Sequence, residues 1–137
     1  MNSGIKIINY SGNGYKPVHI FENWLVAVLN YGDIVEKTRF YKLEKHLLTD
    51  EIFILQEGKA YLILGGKKDE VSEIEIVPME TMKVYNIEKS TWHHIILTKD
   101  SRVIIVENSN TCEENSEYIS INENIKKYVI REIENQV

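Results

Sequence analysis

Glu44, His46, Asp50, Glu51, His93 and His94 are the residues of this chain whose types and spacing can do chemistry. Imidazole titrates near neutral pH and offers a nitrogen lone pair to a cation, while carboxylates supply charge and acceptor oxygens. Brought together, such groups hold a divalent ion or exchange protons with a substrate. The polar segment Lys45–Glu51 runs directly into the apolar run Ile52–Leu55, which closes at Gly58. His93 and His94 head a second apolar run, Ile95–Leu97. The expectation is that these two places meet inside a small β-barrel and wall a polar pocket.

The elements that would position them are strands. Pro17–Phe21, Trp24–Leu29, Thr38–Glu44, Ile52–Gln56, Ala60–Leu64, Glu73–Val77, Lys83–Ile87, Thr91–Thr98 and Arg102–Glu107 are short and rich in β-branched and aromatic residues. Turn chemistry separates them: Asn30–Asp33, Gly65-Gly66, Glu88–Ser90 and Lys99–Ser101. Ile5–Ile8 reads as a further edge strand. Ile52–Gln56 and Ala60–Leu64 flank Glu57-Gly58 and read as a hairpin. Gly65–Glu70 reads as a solvated hairpin loop. Strands recurring roughly every 8–12 residues with no long helical period predict an all-β sandwich or barrel.

Alternation sorts the candidates onto faces. From Arg39 onward, Tyr41, Leu43 and Lys45 share one side, and Phe40, Lys42, Glu44 and His46 the other, so Glu44 and His46 stand together. On the Thr91–Thr98 strand only one of His93 and His94 faces inward, and periodicity alone does not choose. Glu107 either points inward or caps the exit of its strand. Tyr41, Tyr61 and Tyr85 are candidates for barrel lining or aromatic core. In the tail, Ser120 and Glu123 fit a capping box, and Ile125, Val129 and Ile133 fall on one helical face. The spacing predicts a helix over 121–135 packed on a barrel core spanning 18–108, within one domain, 1–137.

Composition excludes several classes. The net charge is −5 with both signs mixed, so no basic stripe suits nucleic acid. One cysteine, Cys112, rules out an intrachain disulfide, and Glu113 and Glu114 beside it disfavour a reactive thiolate. No apolar run nears the ~20 residues of a membrane span, and the N-terminus lacks a signal-peptide pattern. The expectation is a cytoplasmic protein that uses neither membrane nor nucleic acid. Phosphate loops, the nucleophile elbow, H-E-x-x-H and CxxC motifs are absent.

The order His46, four residues, Glu51, six residues, Gly58 resembles the first motif of the cupin superfamily, and Asp50–Gly58 is similar to its Asp-Glu-hydrophobic-Phe core. Tyr85–His93 resembles the second motif, a turn followed by the last histidine. The likeness covers about residues 38–108. It implies a cupin-type β-barrel (a double-stranded β-helix, or jelly roll) with a C-terminal helix. It also implies that His46, Glu51 and His93 are the positions that hold a divalent ion in metal-bearing members. Glu44 stands where those members have a further histidine, giving a metal set of Glu44, His46, Glu51 and His93 for Fe, Mn, Ni or Zn.

Three functions follow from the resemblance. One is an enzyme, a lyase, isomerase or hydrolase acting on a small polar acid or sugar derivative. It would use the metal as a Lewis acid, or Glu51 and His93 as a general acid/base pair. The second is a small-ligand-binding module without turnover. The third is a structural homodimer, with Trp92, His94, Ile96 and the N-terminal strand at its interface.

Overall fold

The computed structural model describes residues 3–136. Ten strands fall at β1 (Tyr15–Phe21), β2 (Trp24–Asn30), β3 (Lys42–His46), β4 (Glu51–Glu57), β5 (Ala60–Leu64), β6 (Glu75–Pro78), β7 (Val84–Ile87), β8 (His93–Leu97), β9 (Arg102–Asn108) and β10 (Ser116–Ser120), followed by helix α1 (Glu123–Glu134). They form two antiparallel five-stranded sheets, β1-β2-β9-β4-β7 and β10-β3-β8-β5-β6. The all-β expectation therefore holds.

Alternation places one core between the sheets and another behind the second sheet. Leu25, Ala27, Phe53, Leu55, Leu62, Ile95, Leu97, Val103 and Ile105 fill the space between them. The opposite faces of β3, β5 and β8 present Leu43, Tyr61, Ile63 and Ile96 to Val129 and Ile133 of α1, joined by Phe40 and Trp92. Burying Val129 and Ile133 contributes roughly 1.5–3 kcal/mol each to docking the helix. Trp92, His94 and Ile96 thus meet the protein's own helix side rather than an open interface. His94 stacks on Phe40 with ring centroids 5.0 Å apart.

Several local expectations change. Ile5–Ile8 pairs with no strand; Ile5 and Ile7 are exposed. Residues 37–39 form a 3-10 turn, so the third strand begins at Lys42 rather than Thr38. β4 and β5 are not a hairpin. β4 pairs with β7 and β9, and β5 with β6 and β8, so Glu57-Gly58 carries the chain from one sheet to the other. Gly58 has φ +81°, and a Cβ there would run into the Ser101 backbone. A crossing this tight requires glycine.

β10 lies between Glu107 and the tail helix, where the sequence pattern predicts no strand, and pairs with β3. Ser120 is its last residue. The cap of α1 is Asn122, whose Oδ1 accepts from the Ile125 N–H at 2.8 Å, so the Ser120–Glu123 box is not formed. The Gly65–Glu70 loop is tied down at several points: Gly65 N–H donates to Trp92 O and Gly66 O accepts from Trp92 N–H (2.8 Å each), while Lys68 O accepts from Trp92 Nε1 (2.8 Å) and Lys45 Nζ (3.1 Å). Tyr61 is buried behind the second sheet, Tyr85 packs at the edge of the inter-sheet core, and Tyr41 is exposed.

Candidate functional site

β3, β4, β8 and β9 bring five ionisable side chains to the inner face of the barrel. β3 supplies Glu44 and His46 two residues apart, on the face opposite Leu43, as alternation predicts. Glu44 pairs in register with His93 of β8. Leu97 and Ile95 of β8 face the inter-sheet core, so His93, in phase with them, faces the same way, and His94 takes the outer side. Glu51 opens β4.

The geometry converges on Glu51. Its Oε1 lies 3.2 Å from His46 Nε2 and 3.0 Å from His93 Nε2. Glu44 Oε1 stands 3.9 Å from each of the same two nitrogens. Glu51, His93 and His46 are buried, whereas the Glu44 side chain is 38% exposed and marks the solvent side. Asp50 turns away, accepting from Lys89 N (2.8 Å) and Asn86 Nδ2 (3.1 Å), and so holds the turn before β8 to the start of β4.

The far side of each imidazole is fixed as well. His93 Nδ1 lies 2.9 Å from the Thr91 carbonyl, which only accepts, so that nitrogen carries a proton. His46 Nδ1 lies 2.8 Å from Ser116 Oγ, whose hydroxyl donates to Cys112 O at 2.7 Å. The serine oxygen therefore accepts from His46 Nδ1–H. Both rings hold their Nδ1 proton outward and turn Nε2 toward Glu51.

With no cation between them, these Nε2 atoms face a carboxylate oxygen and must also be protonated. Burial works against a charged His46, but the hydrogen bond and charge of Glu51, with Glu44, hold its pKa above the ordinary value. The same balance raises His93. Burial would raise Glu51; the two imidazoles outweigh it and bring its pKa down to about 2.

Sequence reasoning did not assign Glu107, Tyr15 or Ser116 to the site. Glu107 of β9 is buried in phase with Val103 and Ile105, and with donor atoms of His46 and Glu51 it forms a group within 4.8 Å of one another. Tyr15 on β1 donates its hydroxyl to Glu107 Oε1 at 2.8 Å. Glu107 Oε2 is buried with no hydrogen-bond partner in the protein. Burial, then the charge of Glu51, pushes the Glu107 carboxyl up to about 8. The signal available for Glu107 was the strict alternation of β9, which puts it on the core face. Tyr15 and Ser116 lie on strands with no such marker.

The donor set fits a divalent ion. Ligands held at about 2.0–2.2 Å from one centre stand about 3.0–3.4 Å from their neighbours. The contacts of Glu51 with both histidines fall in that range, and the half-exposed Glu44 needs to move by less than about 1 Å. Outward-held Nδ1 protons are also what metal-ligating histidines use to set tautomer and ring angle.

No protein-family model and no curated protein matches this chain. Solved structures do match in shape. A Streptomyces PAC13 structure with uridine superposes with TM-score 0.58 at 10% identity, covering 82% of this chain and 83% of that one. Pac13 is described as a nucleoside dehydratase. KdgF from Halomonas sp. gives TM-score 0.53 at 15% identity over 73% of this chain and 80% of that one. FeII HppE gives 0.51 at 16% over 69% and 50%. The architecture these comparisons and the two-sheet topology define is the cupin β-barrel. This chain is a cupin-fold protein with a His/Glu cluster inside the barrel that can hold a metal.

Proposed function

We propose that this protein is a small cupin-fold enzyme that holds one divalent ion through His46, His93, Glu51 and Glu44. Its substrate class is a small polar acid or sugar derivative, and its reaction a lyase, isomerase or hydrolase step. The observation that carries the reading is the fixed tautomer of both histidines: each Nδ1–H is committed to an acceptor, so two Nε2 atoms converge on one buried carboxylate oxygen. Two imidazoles with carboxylates suit Fe, Mn, Ni or Zn alike.

A bound ion supplies Lewis acidity toward a carbonyl or carboxylate oxygen. The chain's own residues do the rest. Glu51, held from two sides, keeps a fixed position. Glu44, at the solvent side, is the donor free to swing when a ligand enters. His93 and Glu51 are also placed to exchange a proton with a bound group. Enzymes among the cupin-fold structures, Pac13 included, support catalysis in such a barrel, although one fold hosts many functions. The reading includes a homodimer, supported by exposed Ile20, Phe21 and Trp24 around edge strand β1, and a cytoplasmic location. No helix among the described residues is long and apolar enough to cross a membrane.

The test is metal content by elemental analysis, on protein reconstituted with each ion in turn. Near-stoichiometric Fe, Mn, Ni or Zn in the wild type, lost in both His46→Ala and His93→Ala, is expected. A wild type that retains no ion after reconstitution refutes the metal reading and leaves Glu51 and His93 as an acid/base pair or a ligand-binding site.

A further inference from the structure

We propose that Glu107, held by Tyr15, is a further ligand of the ion bound at His46, Glu51 and His93, on the sheet opposite the two histidines. The proposal rests on the metal reading above and names the protein donor that the motif residues do not include.

Three observations carry it. The register of β4 on β9 sets Ile52 against Val106, and one residue further sets Glu51 against Glu107 on the inner face. Two carboxylates directly opposite each other repel, and burial removes the water that would screen them. Such a pair persists where a proton or a cation lies between its members. Second, Glu107 is 8% exposed, and its Oε2 has no partner in the protein while Oε1 is occupied by Tyr15. A buried acceptor with nothing to accept from is costly, and in a native site it marks the seat of something else. Third, donor atoms of His46, Glu51 and Glu107 all lie within 4.8 Å of one another, close to the ~4.4 Å between two ligands on opposite sides of one ion.

Charge points the same way. A cation taking the two Nε2 lone pairs leaves both imidazoles neutral, protonated at Nδ1 alone, and the pocket then faces three carboxylates, Glu44, Glu51 and Glu107. A divalent ion ligated by two or three of them restores near neutrality. Tyr15 then plays a positioning role: by donating to Oε1 it leaves Oε2 turned to the centre.

The experiment measures Mn(II) and Zn(II) affinity by competition with a chromogenic chelator, alongside the visible absorption of the Co(II)-substituted protein. Wild type, Glu107→Gln, Tyr15→Phe and the surface control Glu88→Gln are compared, with thermal unfolding in chelator reporting the fold. The expected result is affinity lowered about 100-fold or more in Glu107→Gln and about 10-fold in Tyr15→Phe, a changed Co(II) spectrum in Glu107→Gln, and no change in Glu88→Gln. Wild-type affinity and spectrum in a folded Glu107→Gln overturn the role of Glu107 and leave the metal site standing. If Glu107→Gln does not fold, unchanged affinity in Tyr15→Phe overturns it instead. A wild type that binds none of the three ions overturns both.

Discussion

Without a metal, the Glu107 carboxyl should make the protein less stable as pH rises. Its pKa lies at about 8 in the fold, against 4.5 for an ordinary glutamate. Between those values the native state keeps a proton that the unfolded chain has released, so stability falls as pH increases through this window. Complete loss corresponds to roughly 5 kcal/mol at about 1.4 kcal/mol per pKa unit. Of this, the part lost above pH 5.5 is at most about 3 kcal/mol. His46 and His93 add to the same alkaline arm. Their pKa values are raised, so their stabilisation is complete below pH 6.5 and fades as pH rises through the folded values. Glu107→Gln separates the contributions, because glutamine keeps an oxygen for the Tyr15 hydroxyl and carries no charge at any pH. Urea unfolding in chelator at pH 5.5 and pH 9 should show the variant losing about 2–3 kcal/mol less than wild type between the two. Equal losses in the two proteins would refute the idea that Glu107 is held protonated against Glu51.

Two further substitutions test the frame around the site. His94 is half-buried against Phe40, its Nε2 buried and unpartnered, and desolvation lowers its pKa to about 4, so its contribution is present above pH 6.5 and lost as pH falls toward 4. His94→Phe keeps a ring on Phe40 and should hold its stability to lower pH in acid unfolding followed by circular dichroism; an unshifted acid midpoint refutes this. Gly58→Ala forces a side chain into the Ser101 backbone at φ +81°, and should cost more than about 1 kcal/mol, read as a lower Tm. A Tm equal to wild type would show that the crossing between sheets is not constrained there.

Much of the fold was legible because period-two alternation is a local signal that burial enforces. It put Glu44 beside His46 and left one histidine of the His93–His94 pair for the interior. The choice between them needed the neighbours: His93 goes inward because the outer face of β8 is claimed by Phe40 and α1. The expected β4–β5 hairpin failed because Glu57-Gly58 carries the same residue types whether it folds a strand back or passes it to the facing sheet. Only long-range pairing with β7, β8 and β9 distinguishes the two. β10 was missed because half of its side chains face solvent, so its sequence lacks the apolar run by which strands are recognised. The cost of that miss was chemical as well as topological, since Ser116 on β10 sets the tautomer of His46.

Glu44 gains a different meaning from this environment. At a position where metal-bearing cupins place an imidazole, a carboxylate reads in isolation as a weakened site. In the barrel, however, Glu44 is the most exposed donor and Glu107 is buried with a vacant oxygen. The pocket therefore has not lost charge or donors; it has exchanged a neutral ligand for anionic ones on two sides. Two imidazoles protonated at Nε2 balance two of the three carboxylates and leave the third requiring a proton, which is the metal-free state. A divalent ion replaces those protons at one stroke. The two states differ by proton release, so binding should tighten as pH rises from 6 to 8, the range in which the metal-free protein is losing its own stability.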